Sequence, residues 1–274
     1  MTLATLPDLL ATDYGLGAFN VVLLEHAEAI VAGAERAGTP VVLQISENCI
    51  AYHGSLAPIT SAVLAIARAS SVEVVVHLDH IEDVELVREG VALGVQSVMF
   101  DASKLDYAAN VEATREVVEY CHAAGVAVEA ELGEVGGKDG VHAAGARTIP
   151  AEAAAFVAAT GVDALAVAVG TSHAMLDRVA SVDHALITML RRAVSVPLVL
   201  HGSSGLPDQE LRASIASGMT KINISTHLNG LFTAAVRTAL DTDPRLTDPR
   251  RYVRQGRDAV ATEVARILEL LTRA

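Results

Sequence analysis

A chain of 274 residues that is 51% apolar but only 3% aromatic, with no tryptophan, must build its core from Ala, Val, Leu and Ile. That composition suits parallel strands covered by Ala-rich helices, and the length fits a single (β/α)8 barrel of about 250 residues. A formal net charge of −13 argues against nucleic acid or an anionic membrane as a partner; a phosphorylated substrate stays open, because loops and a metal reverse the field inside a cleft.

Strand-like and helix-like stretches alternate along the whole chain. A strand is expected at Leu16–Val21, then helical periodicity over Leu23–Ala37 and a second strand at Val41–Ser46. The helical stretch Ile59–Ala69 leads into Val72–His80, where four valines between 72 and 76 read as a buried strand that ends in His77-Leu78-Asp79-His80. Next come Val84–Leu93 (helix), Ser97–Asp101 (strand), Tyr107–Ala124 (helix), Val126–Leu132 (strand) and Ala151–Ala159 (helix). Ala164–Gly170 (strand), Val182–Ala193 (helix), Pro197–His201 (strand) and Lys221–Ser225 (strand) complete the series. Gly38, Gly94, Gly125 and Gly161 stand where helices end. Strand–helix alternation implies parallel strands with right-handed crossovers, so the expected fold is α/β, a single (β/α)8 TIM barrel over residues 1–274. A doubly wound open sheet is the alternative, but no Gly-x-Gly-x-x-Gly follows the first strand. The Asp-, Pro- and Arg-rich stretch 241–257 precedes a last helix running through Leu270, and 241–274 is expected to form a C-terminal arm outside the barrel.

Two cysteines, Cys49 and Cys121, do not make a disulfide framework. No basic leader with an apolar core opens the chain, and no apolar run approaches the ~18 residues of a membrane span, so a soluble, cytoplasmic protein is expected.

In a barrel the chemistry collects at the C-terminal ends of the strands. Here those ends carry Asn20, Gln44 with Ser46, Asp79 with His80, Asp101, Glu129 with Glu131, Gly170 through His173, His201, and Asn223 through Thr226. Chance does not readily put histidines at three separate strand ends. His80, His173 and His201 therefore form the sharp hypothesis, three imidazoles around a catalytic zinc with one position left open. Asp101, Glu129 and Glu131 are available as alternative or supporting ligands. Most of the other histidines, His77 among the group, fall in the class expected to be solvated or structural. The loop Gly202-Ser203-Ser204-Gly205 follows the seventh strand and Asn223-Ile224-Ser225-Thr226 the eighth, where barrels commonly bind phosphate through backbone N–H groups.

Taken together, Gly17-Ala18-Phe19-Asn20-Val21, His77-Leu78-Asp79-His80, Ser97-Val98-Met99-Phe100-Asp101, Glu129-Ala130-Glu131-Leu132-Gly133 with Gly136-Gly137, Gly170-Thr171-Ser172-His173, Leu198-Val199-Leu200-His201-Gly202 and Lys221-Ile222-Asn223-Ile224 resemble the class II, zinc-dependent ketose-bisphosphate aldolases. The resemblance runs in order over essentially the whole chain. It implies zinc on His80, His173 and His201, with Asp101 and Glu131 as secondary metal carboxylates and a monovalent cation as a further candidate. It implies that Asp79 handles the proton of the C4 hydroxyl, and that Gly170, Gly202, Ser203, Ser204, Asn223, Ser225 and Thr226 meet phosphate and substrate. Asn20, Gln44 and Ser46 would line the pocket. Asp139, with Glu134 second, is the candidate base at C3. Arg250 resembles the arginine that a neighbouring subunit sends to the distal phosphate, so a homodimer or homotetramer is implied. Ala174 stands after His173 where the family has Gly, and Ser225 where fructose-bisphosphate members often have Asp.

The activity so implied is reversible cleavage of a phosphorylated ketose, of the fructose or tagatose 1,6-bisphosphate type, to dihydroxyacetone phosphate and an aldehyde. Breaking C3–C4 leaves a carbanion that must be held as an enediolate, a task for zinc as Lewis acid. The rival strategy is a lysine Schiff base. Of the three lysines, Lys104 and Lys138 fall in or near loops and Lys221 stands at the start of its strand, the wrong end for it. Other readings are a related enzyme on a different phosphorylated sugar, a zinc hydrolase, and a catalytically silent sugar-phosphate-binding barrel. The hydrolase generally needs His-x-His on the first strand, where this chain has Phe19-Asn20-Val21.

Overall fold

The structure is a computed structural model and describes residues 3–12, 14–132, 147–172 and 177–273. Its strands are β1 (Leu16–Asn20), β2 (Val41–Ser46), β3 (Val74–Ile81), β4 (Ser97–Phe100), β5 (Ala127–Leu132), β6 (Ala164–Val167), β7 (Leu198–Leu200) and β8 (Met219–Ile224). All are parallel and lie in sequence order, and β8 pairs back onto β1 to close a barrel. The helices are α1 (Leu6–Leu10), α2 (Leu24–Ala37), α3 (Glu47–His53), α4 (Leu56–Ala69), α5 (Val84–Leu93), α6 (Tyr107–Ala123), α7 (Pro150–Thr160), α8 (His184–Ala193), α9 (Asp208–Ser217), α10 (Thr226–Thr242) and α11 (Pro249–Thr272). The starts of α5, α6 and α8 are set by Asp83, Asp106 and Asp183, whose carboxylates accept the first free backbone N–H groups.

Strand side chains alternate between two faces, and this period zones the barrel interior. Leu16, Ala18, Val42, Val75, Met99, Ala127, Ala164, Ala166 and Val199 form an apolar inner cluster near the strand starts, closed off by Leu6, Leu9 and Leu10 of α1. Two residues further along the same faces, the interior turns polar: Asn20, Gln44, His77, Asp79, Asp101, Glu129, Glu131, His201, Lys221 and Asn223. From β6 only Ala164, Ala166 and Ala168 take that phase, which leaves room for the long polar side chains of the other strands.

The segment 241–274, expected as a C-terminal arm and helix, lies outside the strand barrel and packs on its outer layer. The helix α10 runs on to Thr242, a turn follows, and α11 starts behind the N-cap Asp248 and lies back on α2, α10 and β1. The fit is close: a Cβ on Gly33 of α2 would come within 2.8 Å of the Ala261 carbonyl oxygen.

Polar contacts fasten this helix as well. Glu263 accepts from Arg266 and from His227 of α10 at 2.8 Å, and Asp208 of α9 accepts from Arg266 and Arg178. Burial pushes the Glu263 carboxyl up, but hydrogen bonds from Arg266 and His227 outweigh that and bring it from 4.5 down to about 2. A carboxyl depressed by folding stabilises fully above its unfolded value and loses that contribution as pH falls through its folded one. Glu263→Gln is therefore expected to lower the urea midpoint at pH 7 and to flatten the loss of stability between pH 4.5 and 2. An unchanged acid limb would contradict it.

Candidate active site

At the C-terminal mouth β3 departs from regular geometry. Its register against β4 runs His77 to Ser97 and Leu78 to Val98, then slips so that Ile81 meets Phe100. Three steps on β3 oppose two on β4, a bulge, and His80 takes a positive φ of 52°. Consecutive strand residues normally face opposite ways. The extra residue brings His80 into the interior beside Asp79, at a strain of about 1–3 kcal/mol for a non-glycine residue there.

The two imidazoles of the mouth are each backed by a carboxylate. Asp101 Oδ2 lies 2.8 Å from His80 Nδ1, and Glu129 Oε1 lies 3.0 Å from His201 Nε2. An ionised carboxylate only accepts, so the proton on each ring sits on its outer nitrogen. His80 Nε2 and His201 Nδ1 then face one another at 2.9 Å with lone pairs converging, and Glu131 Oε2 is 3.7 Å from the latter. Donor atoms of His80, Glu131 and His201 all lie within 4.8 Å of one another. With both rings neutral these lone pairs repel; a proton on one ring, giving a hydrogen bond at 2.9 Å, or a bound cation relieves the contact. The donor set is thus suited to a borderline divalent metal, with both imidazoles fixed by outer carboxylates as ligating histidines usually are.

The charge balance points the same way. Asp79, Asp101, Glu129 and Glu131 are all buried, and among the described residues Lys221 is the only buried lysine or arginine. Burial pushes the Asp79 carboxyl up, yet His80 and His201, when protonated, together with Lys221 outweigh it and bring the group to about 2. For Glu129, Lys221 and the His201 hydrogen bond likewise defeat burial and keep the carboxyl below the usual range. An excess of buried negative charge of this kind is relieved by a bound cation.

Asp79 is held from one side only. Asn20 Nδ2 donates to its Oδ2 at 2.7 Å, and Gln44 Nε2 donates to Asn20 Oδ1 at 3.3 Å. Its Oδ1 is buried without a protein partner among the described residues, as are Gln44 Oε1, Thr171 Oγ1 and Asn223 Oδ1. Buried polar atoms left like this are what a polar ligand satisfies.

The loops after β7 and β8 are tied together, with Ser225 N donating to Ser204 Oγ at 3.1 Å. Ser203 and Ser204 form a short 3-10 turn, and Ser203 Oγ donates to the Leu200 carbonyl. Thr226 opens α10, whose N-cap Ser225 makes no side-chain capping bond, so its first N–H groups keep their capacity to bind an anion. Gly202 has φ +68°, and a Cβ there would sit 2.6 Å from the Ser172 carbonyl oxygen. Gly170, at φ +117°, follows β6 directly before Thr171. Ser46 ends β2 and caps α3 through Cys49 N. Arg250 lies on the first turn of α11, its side chain 85% exposed and paired with Asp248. His173, Glu134 and Asp139 lie outside the described residues.

One expectation changes, and one histidine is placed inside the barrel. Lys221 is not the entry residue of its strand: β8 begins two residues earlier, at Met219, and Lys221 reaches into the barrel to Glu129 at 2.8 Å. His77 is a fully buried interior residue hydrogen-bonded to Ser97, and burial together with the Lys221 charge lowers its pKa to about 3. The strand period carried both signals: each stands two residues before a recognised site residue, Asp79 or Asn223.

A polar, carboxylate-rich mouth with two backed imidazoles makes a candidate metal site at the end of a (β/α)8 barrel. A profile of the class-II fructose-bisphosphate aldolase family matches residues 2–274, and the chain belongs to that family, whose members are carbon–carbon lyases acting on phosphorylated sugars. Among solved structures it is similar to the YdjI aldolase of Escherichia coli K12, with 31% identity over 98% of this chain and 97% of that one and a TM-score of 0.86. It also shares its fold with a fructose-bisphosphate aldolase of Campylobacter jejuni, at 21% identity, 96% and 91% coverage and a TM-score of 0.80. Among the described residues no single helix is long and apolar enough to cross a membrane.

Proposed function

We propose that this aldolase is zinc-dependent and reversibly cleaves a ketose bisphosphate of the fructose or tagatose 1,6-bisphosphate type into dihydroxyacetone phosphate and an aldehyde. The convergence of His80 Nε2 and His201 Nδ1 carries the reading. His173 completes the ligand set; Ser172, which precedes it, has its backbone against Gly202, the neighbour of His201. Glu131 and Asp101 supply the remaining carboxylates, and a monovalent cation is the further cofactor of this reading. Bound zinc supplies Lewis acidity to the ketose oxygens, which stabilises the charge left when C3–C4 breaks.

The protein's own groups do the rest. Asp79, ionised and with Oδ1 unpartnered, takes the proton of the C4 hydroxyl as the bond opens and returns it in condensation. Asn20, backed by Gln44, holds the other oxygen of Asp79 so that the reacting one keeps its aim. Gly170, Gly202, Ser203, Ser204, Asn223, Ser225 and Thr226 surround one phosphate with N–H and hydroxyl donors. Ser46 lines the pocket, and Arg250 of a neighbouring subunit meets the distal phosphate in a homodimer or homotetramer. Asp139, or else Glu134, moves the C3 proton.

Chelation with removal of metal is expected to abolish cleavage, and added zinc to restore it. Full activity in excess chelator would refute the metal reading. Fructose and tagatose 1,6-bisphosphates assayed side by side decide the sugar, because epimers differ only in how one hydroxyl is held.

A further inference from the structure

Lys221 takes no part in the chemistry above, and a fully buried ammonium is costly unless it is paired and serves a purpose. Its Nζ donates to Glu129 Oε2 at 2.8 Å, while Glu129 Oε1 takes His201 Nε2 at 3.0 Å. All three side chains are fully buried. His77 Nε2 stands 4.0 Å from the same Glu129 Oε2, a second partner to which the carboxylate could swing. On the opposite side of the imidazole pair, Asp101 backs His80 and is itself held by Ser103 Oγ at 2.6 Å. Each ring therefore has an orienting carboxylate, and each carboxylate has a clamp.

We propose that Lys221 is a positioning residue for the metal ligand His201. By pinning one oxygen of Glu129 it keeps the other on His201 Nε2, and so keeps Nδ1 turned toward His80 and Glu131. Lys221 touches no substrate and forms no Schiff base; it acts through two successive hydrogen bonds. The inference rests on the metal-dependent reading, and its test separates the two.

Zinc affinity is measured by competition with a chromophoric chelator in wild type, Lys221→Met and the double variant Lys221→Met/Glu129→Gln. The double variant removes both members of the Lys221–Glu129 pair, so neither is left buried without the other, and serves if the single one fails to fold. Visible spectra of the cobalt-loaded proteins report ligand geometry independently of turnover. Zinc affinity is expected to fall about tenfold or more in the folded variants, with shifted cobalt bands. A folded variant with wild-type affinity and spectrum overturns the proposal, even if its melting temperature is lower. If the wild type itself takes up no zinc, the metal-dependent reading is what fails. The histidine 15N shifts of the metal-free protein then decide this inference: His201 shifts unchanged by Lys221→Met overturn it.

Discussion

Replacing Asp79 with alanine is expected to leave fold and metal uptake intact and to slow carbon–carbon cleavage by about 10²–10⁴-fold, the usual worth of a positioned general base. The carboxylate is ionised, with burial outweighed by His80, His201 and Lys221, so it is ready to accept a proton at neutral pH. One oxygen accepts from Asn20 and the other is unpartnered, so the substitution removes the reacting oxygen and a single hydrogen bond, the one from Asn20. A second measurement sharpens the assignment. Exchange of the C3 proton of dihydroxyacetone phosphate with deuterated water does not involve the C4 hydroxyl, and should survive in Asp79→Ala. Loss of exchange and cleavage together would move Asp79 from the C4 proton to the enolisation step. An unchanged cleavage rate would remove it from the mechanism.

The second large effect is expected at Gly202. Alanine there must adopt φ +68°, which costs an L residue about 1–2 kcal/mol. Its Cβ would also fall 2.6 Å from the Ser172 carbonyl oxygen and 2.8 Å from the carbonyl carbon. Backbone cannot step aside as a side chain can, and relieving such overpacking typically adds about 1–3 kcal/mol. Gly202→Ala is therefore expected to lose about 2–5 kcal/mol of stability, read from urea melts. Because Gly202 follows His201 directly, the relaxation should also weaken zinc binding. A variant as stable as wild type would show that the two loops do not press on each other as described.

Much of this architecture was legible along the chain. The valine run before His77, the polar strand ends and the glycines at helix ends each obey local rules of period and backbone conformation, so eight strands could be placed along the chain without coordinates. The bulge in β3 was not legible. An unbroken period of two would have turned His80 away from Asp79, and only the register slip against β4 brings both inside. Lys221 was misplaced for a related reason: a strand's first residue is hard to fix from pattern, and two residues more at the start of β8 put the side chain at mid-barrel. The Asp-, Pro- and Arg-rich stretch 241–257 marked the exit of the chain from the barrel, but that the helix beyond it would lay its apolar face on α2 was not legible.

The sequence by itself determined that this is an alternating α/β chain whose strands end in imidazoles and carboxylates, because periodicity and side-chain chemistry are local properties. The tertiary structure alone decided that His80 and His201, 121 residues apart, meet at 2.9 Å, and that Lys221 finds Glu129 across 92 residues. Those meetings depend on barrel closure and strand register, which no single segment encodes, since each strand's neighbour is chosen by the packing of the whole.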